Sequence, residues 1–441
     1  MRKHLISVLL LWVGLLGGAG LAFLTQLLLA HTVTVVEMGA ITGVMSLMML
    51  AMPVAEFGIS GLWLQVFGQD GRSAFTWVKP SLHIVLIASV AVVVGLLLIG
   101  QWAWDTVQQR ELLYWLLILP STESVVVLVG ARMQLEGRYR ILSLWRALPK
   151  FSRLLVTVAA WWIGFDVVTI AIGYCLSSLI VLFISVVQLI PMLQGKVKLE
   201  KQAITRNDPM SEPENVLQKH RPSIKKVIRH AWPFAIGSVF SLIYMQSDIF
   251  MLSALYDTES TGLYGIAFSL IACVYLLPTA IFNQFLLPRY HRWAVYDRYR
   301  FLQAYRLGNG YMILVGLIVM LLLAWLAPYM VQCFFGVKYA EAGKVVRLLA
   351  LSVPFRYVAS SIGNCLVTQN HIRCKIRYQL IVALLHVGFN LLLIPRYGMY
   401  GAAVATVTSE MMLCALYLMG VWKHIFGIDA VRGWTLNYKL G

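Results

Sequence analysis

The sequence predicts an all-α integral membrane protein, and two observations carry that prediction. Of its 441 residues, 60% are hydrophobic and only 12% are charged, and the mean hydropathy is +0.76. Ordinary soluble chains have about 45–50% apolar and about 25% charged residues, so lipid must cover much of this surface. The apolar residues also form runs of about 20, the length of a helix that crosses a bilayer, whereas a β-barrel would show alternating ten-residue segments.

Twelve such runs follow one another along the chain. They are 5–30, 38–62, 81–103, 112–133, 148–165, 168–192, 230–255, 261–287, 308–333, 345–368, 377–395 and 400–422. Arg146, Lys150 and Arg153 crowd the start of the fifth run, which suggests an amphipathic interfacial turn before a shorter span. The first run exceeds the apolar region of a signal peptide, about 7–15 residues, and we interpret it as an uncleaved span.

The basic residues alternate with the runs and indicate the orientation of the chain. If the N-terminus is inside, the outside loops hold only Arg110, Lys338, Lys344 and Arg396. Cytoplasmic loops are enriched in Lys and Arg, so this pattern predicts that both termini are cytoplasmic. It also accounts for the net charge of +17 without nucleic acid, which we do not expect as a partner.

A long polar stretch at 194–229 interrupts the apolar runs and reads as a cytoplasmic linker. It separates an N-terminal lobe of six helices, 1–193, from a C-terminal lobe of six helices, 230–424. Residues 425–441 then form a cytoplasmic tail.

The two halves show a similar pattern around a glycine. Gly39 precedes Val44-Met45-Ser46-Leu47, and Gly262 precedes Ala267-Phe268-Ser269-Leu270 at the same spacing. A proline follows in each half, at Pro53 and Pro278. The pattern favours a parallel repeat, an architecture of transporters that bind substrate between the halves.

Several motifs resemble the Wzx-type polysaccharide flippases of the multidrug/oligosaccharidyl-lipid/polysaccharide exporter superfamily. They are 27–31 with 37–39, Gln246-Ser247-Asp248, 261–264, 287–289, 335–350 and, most specifically, 390–406, which reads NLLLIPRYGMYGAAVAT. The resemblance implies a MATE-like fold of two six-helix lobes. His31 stands where the family often has Arg, 33–35 replaces its Leu-Gly-Pro, and Ser269 replaces a common basic residue of the eighth span.

The same resemblance implies a transport function, the movement of an undecaprenyl-pyrophosphate-linked oligosaccharide across a bacterial inner membrane for surface polysaccharide synthesis. The polar headgroup would need a cationic lumen, since buried charge must be paired. Arg356 near the middle of the tenth span is the best candidate for substrate contact, with an ion pair to a neighbouring helix as the alternative. Arg347 and Arg132 are further candidates for substrate contact. Arg347 could instead extend its charged end to the membrane surface, and Arg132 could instead anchor the inner end of its span.

Four acids lie within the apolar runs: Glu56, Glu123, Asp248 and Glu410. An unpaired buried carboxylate takes up a proton, so each is a candidate coupling or gating group for H+ or Na+. Pairing with Arg356 or a hydrogen bond across helices is the alternative for these acids.

Three polar residues extend this set. Gln246 accompanies Asp248, while His386 and Asn390 lie four apart and therefore on one helix face. His386, Asn390 and the substituted His31 are weaker candidates for transport. The six cysteines show no CxxC or Cys/His spacing, so we expect neither a disulfide framework nor a metal site or bound cofactor.

Two other functions stay open on the sequence. One is a cation-coupled exporter of drugs or other small molecules from the same superfamily. The other is a membrane enzyme of polysaccharide assembly, which is less favoured because the sequence has no Asp-x-Asp motif and no outside loop longer than about ten residues. We therefore expect a transporter without catalytic residues, and a polysaccharide polymerase and a chain-length regulator as candidate partners. O antigen, capsule, exopolysaccharide and a glycoprotein are all open as the destination.

Overall fold

A computed structural model describes residues 2–104, 106–197, 199, 222–279, 287–368 and 372–434. Its side-chain description excludes 2–13, 15, 279, 287–289, 291 and 295 within these ranges. Eight helices precede the predicted linker: α1 (Arg2–Thr32), α2 (Val35–Glu56), α3 (Ile59–Asp70), α4 (Val78–Ala103), α5 (Val107–Leu116), α6 (Leu119–Leu135), α7 (Tyr139–Ile163) and α8 (Val167–Leu193). Seven follow it: α9 (Ile224–Leu255), α10 (Thr258–Thr279), α11 (Leu287–Tyr296), α12 (Arg298–Phe335), α13 (Ala342–Ala350), α14 (Val353–Cys365) and α15 (Ile372–Val421).

The helices confirm the predicted fold class, an all-α membrane protein of about twelve transmembrane helices. In the described part of the chain, seven stretches are long and apolar enough to cross a membrane, or eight with one bent pair counted. Two of these stretches, Val35–Ala103 and Ile372–Ala430, are 69 and 59 residues long, enough for more than one crossing. The second contains a break at Gly398, where φ is 53°, and the eleventh and twelfth predicted spans lie on either side of it.

The expected interfacial turn before the fifth span is wrong, because α7 is one continuous helix from Tyr139 to Ile163. Its first half is fixed by packing rather than by the membrane. Leu142 and Trp145 are buried, and Trp145 Nε1 donates to the Val126 carbonyl of α6 at 3.0 Å. The helix therefore begins earlier than its apolar run.

Two predicted segments are only partly described. Within the linker 194–229, residues 198 and 200–221 lie outside the described residues, and 224–229 belong to α9. Of the predicted tail 425–441, residues 435–441 lie outside them.

The described part of that tail packs on the start of α12. Arg298 donates to the Ile425 carbonyl at 2.6 Å, and Tyr305 donates to the Ala430 carbonyl at 2.9 Å. Arg306 pairs with Asp429 at 2.6 Å. The chain after the twelfth span is therefore held against the part of α12 that precedes the ninth predicted span.

The fourth and tenth spans are broken at equivalent points. Residues 117–118 separate α5 from α6, and residues 351–352 separate α13 from α14, where the axis bends by 44°. The second helix of each pair has a proline in its first turn, Pro120 or Pro354. A proline is tolerated there because the N–H it lacks would have no helical acceptor. This shared break supports the predicted repeat.

The helices that carry Gly39 and Gly262 begin with matching caps. Thr34 Oγ1 accepts from the Glu37 N–H at 3.3 Å while Glu37 accepts from the Thr34 N–H at 2.8 Å, which is a capping box. Asp257 accepts from the Ser260 N–H at 2.6 Å. Each cap lies five residues before its glycine.

The two glycines also meet. A Cβ on Gly39 would lie 1.6 Å from the Thr258 carbonyl oxygen, and a Cβ on Gly262 would lie 2.5 Å from that of Val35. Val35 and Thr258 are the first residues of α2 and α10, so the contact is reciprocal. Only glycine allows the two helix starts to cross at this distance.

The packing of Cα atoms divides the chain into two compact units. Unit 1 comprises Met1–Thr32 and Val44–Leu242, and unit 2 comprises Val33–Gly43 and Ile243–Gly441. Helices α2 and α9 each contribute residues to both units. The lobe boundaries at 193 and 230 stay a prediction.

Candidate functional site

A buried carboxylate organises the interior of unit 2. Asp248 of α9 is 3% exposed and accepts hydrogen bonds on both oxygens. Oδ2 accepts from the hydroxyls of Tyr264 at 2.7 Å and Thr406 at 2.5 Å. Oδ1 accepts from Asn390 Nδ2 at 3.1 Å and from His386 Nε2. Four side chains from α10 and α15 thus converge on one acid of α9, which we name the Asp248 cluster.

His386 lies at the centre of this cluster and is fully buried. Its second nitrogen, Nδ1, is 2.9 Å from Ser409 Oγ, which lies beyond the break in α15. Its ring packs on Tyr244 with the centroids 5.4 Å apart. The imidazole therefore has a polar partner at each nitrogen.

A second buried pair lies in the same unit. Arg356 Nη1 of α14 donates to Glu410 Oε1 of α15 at 3.1 Å, with 21% and 1% of the side chains exposed. The guanidinium lies 5.9 Å from the ring centroid of Tyr244 and 5.2 Å from that of Tyr275, which are cation–π distances. Arg356 Nε and Glu410 Oε2 have no hydrogen-bond partner among the described residues. The pair is electrically balanced, yet it keeps hydrogen-bonding capacity.

Unit 1 holds a different charge cluster. Arg153 Nη2 of α7 donates to Glu123 Oε1 of α6 at 2.6 Å, and their side chains are 12% and 25% exposed. Thr157 donates to the Arg153 carbonyl at 2.9 Å, and its hydroxyl is 2.7 Å from the Tyr174 hydroxyl. These contacts hold Arg153 between α6, α7 and α8.

Further bases lie on the same face of α7. Arg146, Lys150 and Arg153 are four and three residues apart, a spacing that places side chains on one helix face. Lys150 Nζ lies over α1, 3.2 Å from where a Cβ on Gly18 would be. Glu123 is the acid that interacts with both Lys150 and Arg153. This basic face of α7 therefore carries more positive than negative charge, in contrast to the pairs of unit 2.

The other predicted basic residues have local partners. Arg132 is buried, pairs with Glu136 at 3.0 Å and donates to the carbonyl of Gln188, so it ties α6 to α8. Arg347 is exposed and donates to the Ala324 carbonyl at 3.0 Å.

Glu56 occupies a break in the second span. Its carboxylate accepts from the N–H groups of Gly58 at 2.9 Å and Ser60 at 2.5 Å, so it caps α3. Phe57 and Gly58 have φ values of 54° and 70° at this break. Glu56 is therefore placed as a structural cap rather than beside another acid.

The two remaining candidates lie apart from the buried pairs. Gln246 is half-buried two residues before Asp248, and His31 is exposed at the end of α1. The structure thus groups Asp248, His386 and Asn390.

The sequence analysis missed several contributors. Tyr264 and Thr406 belong to the quoted motifs, but their contact with Asp248 was not predicted. Arg146, Lys150 and Arg153 were interpreted only as charges that set orientation and as the sign of an interfacial turn before the fifth span. Their regular spacing was the available signal for a basic helix face.

Comparisons with known proteins identify the family of the chain and solved structures that share its fold. Residues 5–292 match the family model described as "Polysaccharide biosynthesis protein". A search of curated proteins finds no match.

Solved structures share the fold at low identity. A lipid II flippase MurJ in an inward closed conformation matches with a TM-score of 0.71 and 15% identity, over 97% of this chain and 90% of that one. An inward-facing multidrug resistance MATE family transporter matches with a TM-score of 0.67 and 15% identity, over 92% and 94%. A transporter of the same superfamily from Pyrococcus furiosus matches with a TM-score of 0.55 and 13% identity, over 95% of both chains.

Proposed function

We propose a function from one premise: the chain belongs to the family of polysaccharide biosynthesis proteins. It is a multi-pass membrane protein, and it has the fold of a lipid II flippase and of MATE family transporters. The function that we propose is translocation of an undecaprenyl-pyrophosphate-linked oligosaccharide from the inner to the outer leaflet by alternating access. The polyprenyl tail stays in lipid while the sugar and pyrophosphate cross.

The basic face of α7 is the observation that carries this proposal. A pyrophosphate brings several negative charges into a layer of about 30 Å that tolerates charge only when it is paired. Arg146 and Lys150 supply positive charge beyond what Glu123 neutralises. Guanidinium groups bind phosphate oxygens through paired N–H donors, and an ammonium adds a point charge. A neutral or cationic substrate would gain nothing from this surplus.

Arg356 is proposed as a second contact with the headgroup. Its side chain is 21% exposed, and its Nε is without a partner in the described residues. Contact with a phosphate would have to compete with Glu410. We therefore expect Arg356 to contribute less binding free energy than the basic face of α7.

Placement and partners follow from the same proposal. We infer a bacterial inner membrane with both termini cytoplasmic, because Lys and Arg concentrate in alternate loops. The protein would carry no catalytic residues, and a polymerase and a chain-length regulator would receive its product. Coupling to H+ or Na+ through the Asp248 cluster is part of the proposal.

The test is deletion of the gene in its host, followed by mass spectrometry of undecaprenyl-pyrophosphate-linked oligosaccharides and assay of surface polymer. We expect a completed repeat unit to accumulate on its lipid and surface polymer to be lost. Wild type should restore polymer, and the double variant Arg146→Gln/Lys150→Gln should not, at equal abundance.

The matched control is Arg138→Gln/Lys344→Gln, which also removes one Arg and one Lys. Arg138 and Lys344 are exposed and pair with Glu136 and Glu341. The control should restore polymer fully. If the lipid-linked unit does not accumulate and resistance to cationic drugs falls instead, the small-molecule exporter replaces this proposal. Glycosyl transfer by the purified protein would favour the enzyme.

A further inference from the structure

We propose that the Asp248 cluster is a proton-binding site, in which His386 Nδ1 takes up and releases one proton while Asp248 stays ionised. Its use in transport rests on the proposed function, whereas the protonation itself does not. The ligand is a proton rather than a metal cation, and the site lies within unit 2.

The surroundings of Asp248 leave little room for a metal ion. A carboxylate offers about four lone-pair positions, and four donors occupy them here. Two of those donors are nitrogens, on His386 and Asn390, whereas hard cations prefer oxygen ligands. Asn390 Oδ1 has no hydrogen-bond partner among the described residues and is an oxygen of this cluster that argues for sodium, so the test includes sodium.

The imidazole can hold either protonation state without losing a hydrogen bond. Nε2 keeps its proton in both states, since it donates to Asp248. Ser409 Oγ, at 2.9 Å from Nδ1, can donate to the neutral ring or accept from the charged one. When it accepts, its own proton can turn to the carbonyl of Ala405, one helical turn earlier. A buried group that is satisfied in both states is suited to exchange a proton in place.

Each helix packed against the pair formed by His386 and Asp248 presents polar groups to it. They are Asp248 and Tyr244 from α9, Tyr264 and Tyr275 from α10, Arg356 from α14, and Asn390, Thr406, Ser409 and Glu410 from α15. Arg356 and Glu410 neutralise each other at 3.1 Å. Asp248 is therefore the nearest uncompensated charge to His386.

The balance of the step is simple. One proton leaves water, binds Nδ1 and later returns to water, and no bond between heavy atoms changes. The pair moves from a net charge of −1 with neutral imidazole to zero with imidazolium. A buried, uncompensated charge is costly, so the two states differ in electrostatic free energy and can favour different conformations.

The experiment uses the full-length chain in detergent micelles with its nine histidines labelled at the imidazole ring. The signal missing in His386→Gln identifies His386 in the NMR spectrum. We expect that signal to titrate between pH 5 and pH 9, with the proton exchanging at Nδ1. Replacing 100 mM choline chloride with 100 mM sodium chloride should leave the midpoint unchanged.

Two adjacent hydroxyls provide a matched pair of variants. Ser409→Ala removes the partner of Nδ1 in both protonation states. Because a hydrogen bond from the charged ring is stronger than one to the neutral ring, the midpoint should fall by about half a pH unit or more. Thr408→Ala should leave it in place, because Thr408 donates to the Val404 carbonyl outside the cluster. Both variants keep His386 and Asp248.

Two results would overturn the proposal: a His386 signal that does not titrate in this range, or a midpoint that moves with sodium. Equal effects of Ser409→Ala and Thr408→Ala would also contradict it. The measurement needs no substrate. If the site titrates but the gene deletion accumulates no lipid-linked unit, the proton site stands and the proposed function fails.

Discussion

Units 1 and 2 differ in how their acidic and basic side chains are paired. In unit 1, the basic face of α7 offers Arg146, Lys150 and Arg153 against Glu123. In unit 2, each buried acid has its own base, Asp248 with His386 and Glu410 with Arg356. Surplus positive charge attracts an anionic ligand, whereas a buried acid that is hydrogen-bonded to its own base fixes structure or, where that base is a histidine, can exchange a proton. On the proposed function, the basic face of α7 is the main contact with the headgroup and Arg356 is a weaker one, while the proposed proton exchanges at the Asp248 cluster.

The largest expected effect is a loss of stability on mutation of the Asp248 cluster in unit 2. Asp248→Ala leaves four buried donors without their acceptor, and breaking such a buried pair costs about 3–5 kcal/mol. We expect a strongly lowered melting temperature in detergent and a lower yield. Asp429→Ala is the control, since Asp429 also pairs with a base, Arg306, but is 57% exposed. Similar losses from both variants would mean that the cluster adds no special stability.

The second effect is a loss of ligand binding, which we compare between variants of the basic face of α7 in unit 1 and of Arg356 in unit 2. Arg146→Gln/Lys150→Gln should weaken binding of undecaprenyl pyrophosphate by roughly tenfold for each lost charge-assisted contact. Arg356→Gln should weaken it by less than half as much on a logarithmic scale, because Glu410 already occupies part of Arg356. Titration of the purified chain with undecaprenyl pyrophosphate in micelles measures both. A greater loss with Arg356→Gln would reverse the assignment of roles.

The third effect tests the reciprocal crossing of α2 and α10. Gly39→Ala and Gly262→Ala each force the backbones apart, at a cost of about 1–3 kcal/mol for overpacking. Gly39→Ala should cost more, because its Cβ would lie 1.6 Å from an oxygen rather than 2.5 Å. Gly237→Ala and Gly388→Ala are helical controls with open space around them. If Gly39→Ala and Gly262→Ala lower the melting temperature no more than the two control variants do, the close crossing of α2 and α10 is contradicted.

The sequence predicts the helices of this protein far better than the partners of its charges. Run length and loop charge indicated the spans, because a bilayer fixes how many apolar residues a crossing needs. Glycine spacing also led to the predicted repeat, which stays a prediction, and the two glycines concerned, Gly39 and Gly262, lie in contact. The pairing of Arg356 with Glu410 was open, since the two residues lie 54 positions apart and either could have faced another helix.

The hydrogen-bond donors around Asp248 were harder still to predict from the sequence. Thr406 is 158 positions away in the chain and meets Asp248 only through packing of α9 on α15. The continuous start of α7 was missed for a related reason, because Trp145 packs on α6 while hydropathy registers only the adjacent basic residues. The local sequence pattern predicts where the helices lie, whereas tertiary packing decides which of their side chains are in contact.

The smallest expected effect is the loss of stability on removing a helix cap. Two caps outside the predicted spans can be compared, Asp166 of unit 1 and Asp257 of unit 2. Each carboxylate accepts from a backbone N–H of its helix, Thr169 at 3.3 Å and Ser260 at 2.6 Å. Replacing either by Ala should cost about 1 kcal/mol, a small drop in melting temperature. The hydrogen bond from the Thr169 hydroxyl lowers the pKa of Asp166 below its ordinary value.

That direction fixes the pH dependence. A carboxyl whose pKa is lower in the folded state stabilises the fold above its unfolded pKa, and the contribution is lost as the pH falls through the folded value. The difference in melting temperature between wild type and Asp166→Asn should therefore be constant from pH 6 to pH 8 and shrink below about pH 4. A difference that persists in acid would show that Asp166 acts through its shape rather than its charge.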